Sequence, residues 1–333
     1  MSIHYLAKHH LDHGEVKCLA ISPDKRYLAK AGRYPGLAVL EHKGAEGFKP
    51  IKQLEADAQC CAFSPDGCFL AFGGKTVTLL SLPSLKPAGK LKLSNKEPIS
   101  ALAWSPDSTT LAAAAETKHH QSELAIWELA SNTTVKRSTE YFSKGEYSRP
   151  RIIHSMRFFP DGQRLAVTAW GDSFGVFVYD LRDESISRPS PKPIAMLHDT
   201  KDVALLEGGK ELLVNIRMIG GGSPIVEEYA GQLIRWRLEG NTVSKLKTPE
   251  GYRLWSFALH PKGEHIALCA QKTDEESGLI DDKALLLISL KDGGARRIVG
   301  ADELEGIVAY CFSADGSWLA VAGEHNRLIV YES

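Results

Sequence analysis

The chain has no C-x-x-C pair, no H-E-x-x-H or G-x-G-x-x-G spacing, and no run near the roughly 18 apolar residues of a membrane span. A zinc or thioredoxin-type site, a zincin and a dinucleotide fold therefore have no foothold. Neither sign of charge dominates: 40 Lys and Arg against 41 Asp and Glu leave a formal net charge of −1. That supplies no global field to draw the chain onto nucleic acid or an anionic membrane. The first residues, Met1-Ser2-Ile3-His4-Tyr5-Leu6, lack the apolar core of a signal peptide. Six cysteines stand at 18, 60, 61, 68, 269 and 311, mostly inside apolar runs. There they act as small hydrophobes in a reducing compartment, so a cytoplasmic protein is expected.

What is present is a repeat. With 333 residues, 43% hydrophobic and 24% charged, the chain has the composition of a globular protein with a sizeable core. An alternating apolar segment, a Ser-Pro-Asp-Gly-like turn and a second apolar segment recur along it. The turns are Ser22-Pro23-Asp24-Lys25, Ser64-Pro65-Asp66-Gly67, Ser105-Pro106-Asp107-Ser108 and Phe159-Pro160-Asp161-Gly162. Weaker copies are Leu206-Glu207-Gly208-Gly209, His260-Pro261-Lys262-Gly263 and Ser313-Ala314-Asp315-Gly316. Equivalent positions (23, 65, 106, 160, 207, 261 and 314) lie 41 to 54 residues apart. A four-stranded propeller blade needs about 40–50 residues.

The turn chemistry is that of a hairpin: Pro pre-sets φ, Asp bonds its own backbone, and Gly supplies positive φ. Before each turn, large residues such as Leu19/Ile21, Leu102/Trp104 and Met156/Phe158 alternate with small ones such as Cys18/Ala20 and Ala101/Ala103. Alternation with period two marks a strand. The small face suits a strand crowded near a central axis. Second strands open with Leu-Ala or its like, and third strands run over Leu37–Leu40, Val77–Leu82, Leu124–Leu129 and their counterparts. Fourth strands are weaker, for example Lys49–Leu54, Lys192–Leu197 and Val243–Leu246. The expected fold is an all-β, seven-bladed β-propeller of four-stranded antiparallel blades. Its units cover 16–55, 58–93, 99–142, 152–198, 202–248, 254–301 and 307–333. The seventh lacks a fourth strand, and residues 3–9 are expected to supply it and close the ring, removing an open sheet edge.

The third strands end in Trp127-Glu128, Tyr179-Asp180, Trp236-Arg237 and Tyr331-Glu332. With these endings the chain resembles the WD40-repeat family along essentially its whole length. The Gly-His dipeptide that usually opens a WD40 repeat is absent, so the hydrogen-bonded network built on that His is expected to be largely missing. The resemblance implies a non-catalytic platform for protein–protein interaction. It also puts the first-to-second-strand turns on one face of the disc, with second-to-third loops and inter-blade connections on the other.

Length increments gather on that second face, at Glu116–Ser122, Ser138–Arg151, Trp170–Ser173, Met218–Gly231 and Gln271–Lys283. Loops on a rigid scaffold carry function. Candidate partner-binding residues there are Arg33, Tyr34, His119, Tyr147, Arg149, Trp170, Arg217, Tyr252, Arg253, Lys272 and His325, since Arg and aromatic side chains favour interface anchoring. Tyr141 and Phe142 in the same stretch also read as the packed end of a fourth strand. Gly220-Gly221-Gly222-Ser223-Pro224 reads as a loop. The acidic stretch Asp274–Asp282 lacks EF-hand spacing, and the paired histidines His9-His10 and His119-His120 point to opposite faces of a strand, so no metal and no cofactor is expected. A monomeric propeller that holds a protein or peptide partner on its loop-rich face within a hetero-complex, with no membrane partner, is expected. Two alternatives stand beside it: a lactonase-like hydrolase at the channel mouth, using residues such as Arg33, His119, Arg217 and His325, and a nucleic-acid-associated subunit using Arg149, Arg151, Arg296 and Arg297.

Overall fold

A computed structural model of the chain describes residues 4–10, 15–33, 36–93, 98–116, 122–130, 133–138, 152–170, 175–188, 200–216, 231–249, 251–273, 280–298, 304, 306–324 and 327–332. Of residues 4–10, 33, 133–138, 253, 273 and 280–282 it describes the backbone alone.

The first strand, β1 (His4–His10), stands apart from its sequence neighbours. Blade one is β2 (Glu15–Ile21), β3 (Tyr27–Arg33), β4 (Gly36–His42) and β5 (Phe48–Glu55). Blade two is β6 (Cys60–Phe63), β7 (Phe69–Gly73), β8 (Val77–Ser81) and β9 (Lys86–Leu91). Blade three is β10 (Ile99–Trp104), β11 (Thr110–Glu116), β12 (Ser122–Glu128) and β13 (Thr133–Ser138). Blade four is β14 (Ile152–Phe158), β15 (Arg164–Trp170), β16 (Val176–Asp180) and β17 (Ile186–Ser187). Blade five is β18 (Thr200–Leu206), β19 (Glu211–Ile216), β20 (Leu233–Arg237) and β21 (Thr242–Lys245). Blade six is β22 (Tyr252–Leu259), β23 (His265–Thr273), β24 (Ile280–Ser289) and β25 (Ala295–Arg297). Blade seven is β26 (Ile307–Phe312), β27 (Trp318–Gly323) and β28 (Arg327–Glu332), and β1 completes it in the order β1-β28-β27-β26. His4 lies opposite Glu332 and His10 opposite Arg327, antiparallel. The protein is therefore a seven-bladed β-propeller closed by its N-terminal strand, and the inner strands β2, β6, β10, β14, β18, β22 and β26 touch in succession around the ring.

The hairpin turns follow from their residues. Asp24 Oδ1 accepts hydrogen bonds from the Ser22 hydroxyl at 2.6 Å and the Arg26 N–H at 3.0 Å, and Ser22 Oγ accepts from the Tyr27 N–H at 2.8 Å. The same pattern recurs at Ser64/Asp66, Ser105/Asp107 and Ser313/Asp315. Gly67, Gly162, Gly263 and Gly316 hold φ between 67° and 76° at the turn's fourth position. Lys25 and Ser108 occupy that position at φ 60° and 63°, where a side chain is disfavoured. Each uses its side chain to reach the preceding blade: Lys25 Nζ donates to Ser317 Oγ at 2.9 Å, and the Asp66 N–H donates to Ser108 Oγ at 3.0 Å.

Among the described residues seven apolar clusters form the core, each bridging two adjacent blades. The alternation in the inner strands decides this. The large column of each inner strand packs against the preceding blade, and the small column faces the following one. Leu102 and Trp104 join the cluster of blades two and three, while Ala101 and Ala103 join that of blades three and four, with Met156 and Phe158. The small face expected at the axis is thus the seat for the next blade's large residues. The Leu-Ala signature has a register counterpart. Leu111 faces Trp127, Leu165 faces Tyr179, Leu212 faces Trp236 and Leu319 faces Tyr331, each aromatic being at most 2% exposed.

Two expectations about strand limits shift. The fourth strand of blade four is β17, paired with Val178 and Tyr179, and the expected Lys192–Leu197 lies outside the described residues. The loop expected over Gln271–Lys283 is narrower, because β23 continues to Thr273 and β24 begins at Ile280, placing Gln271, Lys272 and Lys283 in the ladder. Among the described residues, no helix is long and apolar enough to cross a membrane.

Candidate functional site

The inner strands begin on the face of the second-to-third loops and end at the turns. Near those beginnings, six of the seven break register by a bulge. The extra residues are Lys17, Ser100, His154, the pair Lys201–Asp202, Trp255 and Val308. In blade two, Gln59 precedes β6 at the same level, its N–H donating to the Gly73 carbonyl at 2.7 Å. A bulged residue leaves the ladder and is re-aimed, a device common beside binding sites. Here six bulges, with Gln59 at the same level in blade two, stand where the inner strands begin, at one end of the central channel. The channel encloses about 1160 Å³ and is lined by Lys17, Gln59, Ser100, His154, Lys201, Asp202 and Val308, with Asp57 and Arg157.

Side chains tie this rim together across blade boundaries. Lys17 Nζ donates to Gln59 Oε1 at 2.7 Å, joining blades one and two. The Ile153 N–H donates to Ser122 Oγ at 3.1 Å, and toward the turn end of the strands Trp104 Nε1 donates to the Ala62 carbonyl at 3.2 Å. The buried Thr168 hydroxyl donates to the Lys201 carbonyl at 2.9 Å. Asn215, fully buried in β19, accepts from the Asp202 N–H and donates to the Trp255 carbonyl, both at 2.8 Å. Asp202 Oδ2 in turn accepts from the Phe257 N–H at 3.2 Å. Ser256 Oγ and Tyr310 Oη share a hydrogen bond of 2.6 Å, which joins blades six and seven. On the turn face Lys25 Nζ pairs with Asp315 at 2.8 Å and closes blade seven onto blade one.

The rim is mixed in charge. Burial pushes the Asp202 carboxyl above the ordinary carboxylate range, against the opposing pull of Lys201, the Phe257 N–H, Arg157 and His154. Burial likewise drives the Tyr310 phenol well up, which keeps it a neutral hydrogen-bonding group. Among the described residues the exposed large hydrophobics are Ile51 on an outer strand and Trp255 at the β22 bulge, 39% exposed.

Of the residues singled out from sequence, Trp170 ends β15 opposite Ile152 and is half-buried. Tyr252 lies opposite Lys272 at the start of blade six. Tyr252 packs against the core of blades five and six, and Lys272 is exposed. Arg33 ends β3 and Arg253 lies opposite Gln271, both placed by backbone only. Tyr34, His119, Tyr147, Arg149, Arg217 and His325 lie outside the described residues, as do Arg151, Tyr141, Phe142 and 217–230. The channel-lining Lys17, Gln59, His154, Arg157, Lys201 and Asp202, and Trp255 at the β22 bulge, were not among the sequence candidates. A G-x-S-x-G spacing, Gly171-Asp172-Ser173-Phe174-Gly175, also escapes the motif reading above. It joins two antiparallel strands, β15 and β16, whereas a nucleophile elbow turns from strand to helix. No known protein-family description matches the chain.

Proposed function

We propose that this propeller is a WD40-like, non-catalytic interaction platform that holds a protein or peptide partner on its loop-rich face, as a subunit of a larger assembly. The observation that carries the reading is Trp255. A large aromatic stands 39% exposed at the β22 bulge, next in sequence to the channel-lining Ser256, while its own carbonyl is held by the buried Asn215. Exposed, pre-positioned aromatics are the anchors of protein interfaces, and a backbone already ordered lowers the entropic cost of binding. Around it the rim offers cations and a carboxylate from several blades, enough to orient a bound chain without a single-sign field.

The second reading, a hydrolase at the channel mouth, draws on the titratable group of His154, Arg157, Lys201 and Asp202. The reading is tested by affinity purification of the tagged protein from its native cells, beside Trp255→Ala and Ile51→Ala variants. A stoichiometric partner kept by Ile51→Ala and lost by Trp255→Ala is the expected result. A partner indifferent to Trp255, or turnover of lactone or ester substrates that His154→Ala abolishes, would overturn it.

A further inference from the structure

We propose that Cys18 and Cys61 form a peroxide-responsive thiol pair in the channel wall, with Cys18 taking the oxidant and Cys61 closing a disulfide between blades one and two. The two sulfurs lie 3.9 Å apart, across the boundary between inner strands β2 and β6. The Cys61 S–H has the Cys18 sulfur and, at 3.8 Å, the Ala29 carbonyl as acceptors, and the Cys18 thiol lies 3.5 Å from the Cys61 carbonyl. Both cysteines line the channel, so a small oxidant has a route to the pair, and Cys18, half-buried, is the more accessible beside Cys61 at 5% exposed. Closing a disulfide needs the sulfurs to approach by about 2 Å.

The other cysteines do not share this arrangement. Cys60 donates its thiol away from the pair, to the Ile99 carbonyl of blade three at 3.6 Å. Cys68 is exposed, and hydrogen bonding to the Asp66 side chain together with the Asp66 charge raises its pKa. Burial pushes Cys269 up to about 11 and Cys311 higher still. Cys18 alone is shifted down, first by hydrogen bonding from Cys61, against the cost of burial, with the Arg157 charge adding to it. Cys61 is driven up by the same hydrogen bond and by burial. A low-pKa thiol beside a protonated one is the division of labour of an attacking and a resolving cysteine.

The chemistry balances with a peroxide as co-reactant. The Cys18 thiolate attacks one peroxide oxygen; an S–O bond forms, the O–O bond breaks, and the departing hydroxide takes a proton to become water. The Cys61 sulfur then attacks the sulfenic sulfur of Cys18, giving up its proton. The S–S bond forms, the S–O bond breaks, and the hydroxide leaves with that proton as a second water. Two thiols lose two electrons and one peroxide is reduced. The bridge ties β2 to β6 one residue from Lys17 on the channel rim.

The test treats the full-length protein with stoichiometric hydrogen peroxide, then maps tryptic peptides without reduction. Trypsin separates residues 18–25 from 53–75, so the bridge appears as one linked pair. The link is expected in the wild type and in Cys60→Ala and Cys68→Ala. In Cys61→Ala it disappears, and dimedone labelling of Cys18 rises roughly tenfold over the wild type because the sulfenic acid has no resolving partner. Cys18→Ala abolishes both signals; blades three and seven already carry alanine at the equivalent Ala101 and Ala309, so the variant is expected to fold, and its melting curve checks this. Survival of the link in Cys61→Ala, dimedone labelling of Cys68 ahead of Cys18, or no link in the wild type would overturn the proposal.

Discussion

The Asn215 side-chain amide donates to the Trp255 carbonyl at 2.8 Å while its oxygen accepts from the Asp202 N–H, so one buried residue of blade five fixes the bulges of two blades. Removing it leaves two backbone groups without their partner. Each unsatisfied buried group costs about 1–3 kcal/mol. Asn215→Ala is therefore expected to destabilise the protein by roughly 2–4 kcal/mol in denaturant unfolding. An effect under ~0.5 kcal/mol would show that water replaces the amide and that the rim does not depend on it.

Lys25 and Asp315 close the ring on the opposite face. Partial burial raises the Asp315 carboxyl, but Lys25 and the Ser313 and Ser317 donors outweigh it and hold it well below the usual carboxylate range. A folded-state pKa depressed below the unfolded value contributes stability above the unfolded pKa, and that contribution is lost as pH falls through the folded one. Lys25→Met is thus expected to cost about 0.5–1 kcal/mol at pH 7, the scale of a partly exposed pair, with the deficit shrinking in acid. A deficit that is constant from pH 7 to pH 2 would assign the effect to something other than this pair.

Strand β1 pairs along its length with β28 and gives blade seven its fourth strand. Deleting residues 1–10 exposes the edge of β28. The truncated protein is expected to melt at a lower temperature and to aggregate on heating. Unchanged cooperative melting would contradict closure by this strand.

Much of the fold was legible because its determinants are local. Ser-x-Asp turns, period-two alternation and the Leu-Ala openings lie within a few residues of one another, and the strand ahead of the first unit does pair with the seventh. The rim was not legible, because a bulge shifts the alternation by one residue inside an apolar run. Val16-Lys17-Cys18 and Leu254-Trp255-Ser256 look like continuing strands until the partner strand's register is known. Asn215, set among Leu212, Leu213, Val214 and Ile216, has hydrogen-bond partners 13 and 40 residues away. Tyr252, chosen as an aromatic near a loop, spends part of its surface on the core, while Trp255 three residues later is the exposed one.

Hydrogen–deuterium exchange on the complex recovered from native cells, compared with the free protein, tests the platform reading most directly. Protection gained around residues 17, 59, 154, 201–202 and 255, where the inner strands begin, is the result this account predicts. Protection confined to the turns at 24–26, 66–68, 107–109 and 315–317, or no change at either face, would contradict it.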